Sequence, residues 1–168
     1  MKKDSRFLIV NLTKRNPSAT ADGLLFKRIK NAILGTRYRL ELLFMSPRDS
    51  QILNHRYRNK NKPANVLSFV LSQKEGQIVV CPECAVREAS RYEQTKKNFI
   101  RFLFIHAILH LKGLRHGSTM EAEERRFCKR FLPPKASSAF SYGKKNISRN
   151  RYRNLSGQSD GRGKRRTV

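Results

Sequence analysis

The chain has 168 residues, a length that suits one domain, and 38% of them are hydrophobic, enough for a compact core. It carries 37 Lys and Arg against 12 Asp and Glu, a formal charge of +25. No membrane helix is expected, because apolar runs such as Phe7–Val10 and Phe102–Ile105 fall far short of the ~20 residues of a span. The short run after Lys2 and Lys3 cannot serve as a secretory signal, and three cysteines, an odd number, argue against a disulfide framework. The default compartment is then a reducing cytoplasm.

The charge is uneven. Residues 133–168 hold ten basic residues and one acidic one, and the rest of the chain, with 27 basic and 11 acidic residues, is basic too. A basic body favours a polyanion, most often nucleic acid, since neutralising phosphates releases counterions.

In chain order, Arg6–Thr13 reads as a strand on Phe7, Leu8, Ile9 and Val10. Asn16-Pro17-Ser18 marks a turn. Thr20 or Asp22 is placed to cap a helix with Leu24, Leu25, Ile29, Ile33 and Leu34 on one face, ended by Gly35. Tyr38–Met45 is a second strand, and Ser46-Pro47 opens a short helix. Val66–Leu71 and Ile78–Val80 are further strands. Pro82 starts a helix to about Gln94, Asn98–Lys112 forms a strongly apolar one stopped by Gly113, and Thr119–Leu132 forms the last. This order predicts an α+β fold. Residues 1–132 form a single domain with a small mixed four-stranded sheet packed by several helices. Pro133-Pro134 marks its end, and 133–168 is expected to be a disordered basic tail. Its Phe140, Tyr142 and Tyr152, set among cations, suit auxiliary binding to unpaired bases.

Three of the four histidines fall within HAILHLKGLRH. His106 and His110 share one helical face, and Gly113 lets the chain turn back so that His116 returns to the same point. Three imidazoles converging in this way suit a divalent transition metal with one position left open, a pattern of catalytic sites. The spacing is also that of metzincin proteases, which need Glu directly after the first His. Ala107 stands there, which removes the general base.

These residues resemble the YbeY family of metal-dependent endoribonucleases, whose signature H-G-x-x-H-L-x-G-x-x-H is matched by His106, His110, Leu111, Gly113 and His116, with Ala107 for the first glycine. A second stretch is similar independently: Asn54-His55-Arg56-Tyr57-Arg58 and then Pro63-Ala64-Asn65-Val66-Leu67-Ser68-Phe69. Gly76-Gln77-Ile78 and the Glu-rich start of the last helix (Glu121, Glu123, Glu124) also fit. The resemblance implies one metal ion per chain at His106, His110 and His116, with zinc the first expectation from imidazole ligands. It implies a catalytic role for His110 and for Arg58, whose guanidinium can clamp a phosphate bidentately. Arg56, Lys62 and Arg115 are expected to add RNA contacts. Two departures stand out: Gln77 and Arg115 occupy positions where the family commonly has Asp.

The implied activity is single-strand-acting endoribonuclease in rRNA maturation, at the 3′ end of 16S rRNA, and in ribosome quality control. The implied partners are rRNA and the small ribosomal subunit. No carboxylate sits at an obvious general-base position, so water activated at the metal is the expected nucleophile, with the RNA 2′-hydroxyl the alternative. Two other readings stay open at this point: an RNA- or ribosome-binding assembly factor without catalysis, and a metal hydrolase of another substrate. Cys81-Pro82-Glu83-Cys84, at a strand-to-helix junction, has the spacing of thioredoxin-like redox sites but not their surroundings, and is read as packing, as is Cys128.

Overall fold

Four strands, β1 (Phe7–Asn11), β2 (Arg39–Phe44), β3 (Val66–Ser72) and β4 (Glu75–Val80), form one sheet in the order β1-β2-β4-β3. The computed structural model describes residues 6–13 and 22–139. β1 and β2 pair in parallel, as do β2 and β4, while β3 returns antiparallel on β4 through a tight hairpin. The helices are α1 (Gly23–Leu34), α2 (Pro47–Arg58), α3 (Pro82–Ala89), α4 (Lys96–Leu111), α5 (Ser118–Phe131) and α6 (Pro134–Ala139), with a 3-10 turn at Ser90–Tyr92 after α3. The α+β class and the small mixed sheet expected from the sequence are both present.

The sheet separates two packings because side chains alternate along a strand. Leu40, Leu42, Phe44, Val66, Ile78 and Val80 join the main core with Phe26 and Ile29 of α1 and Phe104 and Ile108 of α4. On the other face Leu67 and Val79 pack with Ala64 and with Leu53 of α2. α4 runs through the middle of the main core, against β3 and β4 and the helices α1, α3 and α5. Eleven of its sixteen residues are buried, on all sides of the helix. Thr95 starts it by accepting the Asn98 N–H through its hydroxyl.

Several boundaries differ from the sequence reading. β4 begins at Glu75 rather than Ile78, since pairing with both β2 and β3 extends the strand through polar residues that carry no apolar signal. α3 stops at Ala89, and the chain turns at Glu93, with φ 51, before α4. Asp22 precedes α1 but caps nothing with its side chain; its carboxylate pairs instead with Arg101 and Lys97. The chain does not leave the domain at Pro133: it enters α6, where Ala136 is buried at 1% exposure. The Asn16-Pro17-Ser18 turn, Thr20 and the chain from 140 onward, including the aromatic residues expected to bind RNA, lie outside the described residues. Cys81 and Cys84, read from the sequence as packing, are joined as a disulfide; one local bridge needs no framework of paired cysteines. Cys128 is buried and free, as expected. Among the described residues no helix is long and apolar enough to cross a membrane.

Candidate metal centre and phosphate site

His106 and His110 lie one turn apart on α4, near its C-terminal end. The helix then stops in a double reversal. The Gly113 N–H bonds the His110 carbonyl at 2.9 Å and the Leu114 N–H bonds the Leu109 carbonyl at 3.0 Å, the pattern of a Schellman cap. It requires a positive φ at Gly113, which is 95°, a conformation open to glycine and costly to most other residues. The reversal carries His116 back over the helix end. Its ring stacks on His106 at 5.3 Å between centroids and meets His110 edge-on at 4.6 Å. One nitrogen from each of the three rings lies within 4.8 Å of the others, so the cluster could hold a metal ion.

Two of the rings are oriented from behind. The Nδ1 of His106 lies 2.5 Å from Oε1 of Glu124, and both residues are 1% exposed. The Nδ1 of His110 lies 3.0 Å from the Leu114 carbonyl oxygen, which can only accept. The Nδ1 of His110 therefore carries the proton, and its Nε2 presents a lone pair. The Nε2 atoms of His106 and His110 face each other at 3.2 Å. A tetrahedral zinc with Zn–N near 2.0–2.1 Å sets its nitrogens about 3.3 Å apart. The donor set thus fits a metal of this size.

The electrostatics keep His110 and His116 neutral. Burial, then the neighbouring His106 and His116 rings and the Arg58 charge, push His110 down to about 3, against a small opposing effect of the Leu114 carbonyl. Burial likewise pushes His116 down to about 4, with His106 and Arg58 helping and Glu124 opposing. Neutral imidazole is the form that ligates a metal.

Arg58 lies near enough to the cluster for its charge to lower both His110 and His116. It is the last residue of α2, and the chain reverses at Asn59 with φ 53. The segment after it is tied back to α2. Ser50 Oγ donates to the Ala64 carbonyl at 2.7 Å and accepts the Ala64 N–H at 3.1 Å, and Asn54 Nδ2 donates to the Lys62 carbonyl at 2.7 Å. The Nη1 of Arg58 is buried with no hydrogen-bond partner among the described residues, and burial draws its pKa down from the ordinary arginine value. A buried donor left open in this way is a vacancy for an anion, and a phosphate oxygen meets its geometry.

The other expected RNA residues are placed differently. Arg56 is exposed on α2, lining a surface cleft with Arg48, Ile52 and Asn61. Lys62 and Arg115 are exposed. Gln77 is turned to Glu41 across the β2–β4 pair, its Nε2 donating at 3.0 Å, so it serves the sheet. Sequence reasoning took Glu124 only as part of an acidic helix start. Its spacing held a sharper signal: Met120, Glu124, Phe127 and Cys128 form the buried face of α5, and an acid in such a stripe needs a partner.

Fold and site together define an α+β domain with a three-histidine cluster that could hold a metal ion, and an arginine with an open donor near it. A family model described as "Endoribonuclease YbeY" matches residues 10–131, and the chain belongs to that family of endoribonucleases. Among relatives, an endoribonuclease YbeY of Herminiimonas arsenicoxydans is 34% identical over 112 residues, covering 60% of this chain and 71% of the relative. That of Chromohalobacter salexigens is 34% identical over 103 residues, 57% of this chain and 67% of the relative. The endoribonuclease YbeY of Neisseria meningitidis serogroup C is 31% identical over 103 residues, 52% of this chain and 60% of the relative. The chain thus spans between 60% and 71% of the length of these three relatives. The solution structure of TM1509 from Thermotoga maritima superposes with a TM-score of 0.56 at 20% identity, covering 95% of this chain and 99% of that one, a likeness of fold.

Proposed function

We propose that this chain is a metal-dependent, single-strand-acting endoribonuclease of rRNA maturation, acting at the 3′ end of 16S rRNA and in ribosome quality control. It works in the cytoplasm with rRNA and the small ribosomal subunit as partners, and its metal is zinc. The observation that carries the reading is the convergence of three imidazoles with the unpartnered Arg58 Nη1. Family membership supports RNA as the substrate, and the charge of +25 suits a polyanion.

His106, His110 and His116 would hold the metal, which supplies Lewis acidity to a phosphoryl oxygen and to the attacking oxygen. The Leu114 carbonyl holds the His110 ring by its Nδ1 proton, so that Nε2 stays available, and Glu124 fixes the His106 ring at its Nδ1. Arg58 binds the scissile phosphate and meets the charge that grows on it as the bond to phosphorus forms. The Ser50 and Asn54 bonds keep the segment behind Arg58 in place. Arg56, Lys62 and Arg115 hold the RNA backbone to either side.

The test is incubation of purified wild type and His110→Ala with rRNA, with and without chelator. Cleavage by wild type alone, lost with chelator, is expected. Equal cleavage by both, or none by either with rRNA or with small subunits as substrate, would overturn the reading.

A further inference from the structure

The Cys81–Cys84 disulfide lies outside the site just described. As a staple it achieves little. It joins the end of β4 to the first turn of the next element, and the chain entropy a disulfide removes shrinks with the loop it closes. Its surroundings suit chemistry instead. Cys81 is the N-cap of α3, and its sulfur accepts the Cys84 N–H at 3.3 Å. A thiolate at that position would keep this bond and gain the positive end of the helix. The two residues, both buried, differ slightly in access: Cys84 is 6% exposed and Cys81 is fully covered.

We propose that Cys81 and Cys84 are a reversible thiol–disulfide couple that takes electrons from a dithiol reductant, with Cys84 the sulfur attacked and Cys81 the leaving thiolate. In the forward step a reductant thiolate attacks Cys84 Sγ. The S–S bond breaks and its electron pair leaves on Cys81. The reductant's second thiolate then displaces Cys84 from the mixed disulfide. The reductant departs as a disulfide, and the protein has gained two electrons and two protons. The better-stabilised thiolate is the better leaving group, which sets the direction. Cys128 stays outside the exchange, since it is fully buried and burial, with Glu124 nearby, raises its thiol pKa well above the ordinary value. The Cys81 N–H bonds the Asn65 carbonyl at 2.9 Å, which sets the couple directly behind the segment that leads from Arg58 into β3.

The full chain would be equilibrated with graded ratios of reduced to oxidised glutathione, quenched, unfolded, alkylated and weighed. The count of free thiols is expected to move reversibly between one and three. A count that stays constant across the series would overturn the couple. The attacked sulfur is read from single variants, in which serine keeps a capping oxygen at 81. Oxidised glutathione is expected to label Cys84 in Cys81→Ser about tenfold faster than it labels Cys81 in Cys84→Ser. Equal labelling, the reverse order or no labelling would overturn the assignment.

Discussion

The two helices that build the site are opposites. α4 is buried around its whole circumference and brings His106 and His110 on a body of Phe, Leu and Ile. α2 buries only Ser50 and Asn54, keeps basic residues in its last turn, and brings Arg58. The metal half is therefore held by dispersion and apolar burial, which are non-directional and act over the whole helix. The arginine half is held by a smaller apolar contact, Leu53 and Tyr57 against β3 and its neighbours, and by a few hydrogen bonds to one loop. A site built in this way has a stiff part that fixes the ligands and a softer part that can adjust to a flexible polymer.

Perturbations of the two halves should therefore separate. The largest effect is expected from Arg58→Ala: RNA cleavage should fall about 100- to 1000-fold, the scale of removing one donor aimed at developing charge. Zinc affinity, followed by competition with a chromophoric chelator, should not fall, because Arg58 only adds repulsion at His110 and His116. A comparable loss of zinc would show that the halves are one structure. Next comes Glu124→Gln. It replaces the carboxylate behind His106 by a neutral amide and should weaken zinc binding about 10- to 100-fold. RNA binding by the metal-free protein should persist.

Ser50→Ala acts on the soft half. It removes both bonds to Ala64 and should cost about 1–3 kcal/mol in urea unfolding. KM for RNA should rise while zinc affinity is retained. The mildest perturbation is pH. His110 and His116 sit near 3 and 4 in the folded metal-free protein and near 6.5 when unfolded. Between those values the unfolded chain binds more protons. The metal-free protein should thus keep its full stability above about pH 6.5 and lose it progressively as pH falls toward 4. Zinc should oppose the loss, and melting curves with and without chelator would register it. A flat metal-free profile would mean that the rings are not held neutral.

What the sequence made legible follows the same division. The histidine cluster could be read because its geometry is local: one helical turn, a glycine, three residues. The sheet could be read because β2 and β3 alternate or run apolar. Three features resisted for different reasons. Glu124 meets His106 only once α5 folds onto α4, a contact across eighteen positions that no periodicity encodes. The first half of β4 was hidden by Glu75, Gly76 and Gln77, which are strand only because two neighbours pair with them. The α6 helix was hidden by prolines that read as an end but also suit the start of a helix. Arg58 was found by its motif; what marks it physically, a buried and unanswered Nη1, needs coordinates.

The all-round burial of α4 also governs when the protein can acquire its metal. Lys96–Leu111 has little reason to hold as a helix before the sheet and α1 have folded to receive it, so the ligand pair does not exist in the unfolded chain. Competence to bind the ion therefore arrives with the closing of the core. The same link runs in reverse in the finished molecule. Losing two ligands at once would require undoing the core, so exchange of the ion must proceed from the side of His116, the ligand that stands on a turn.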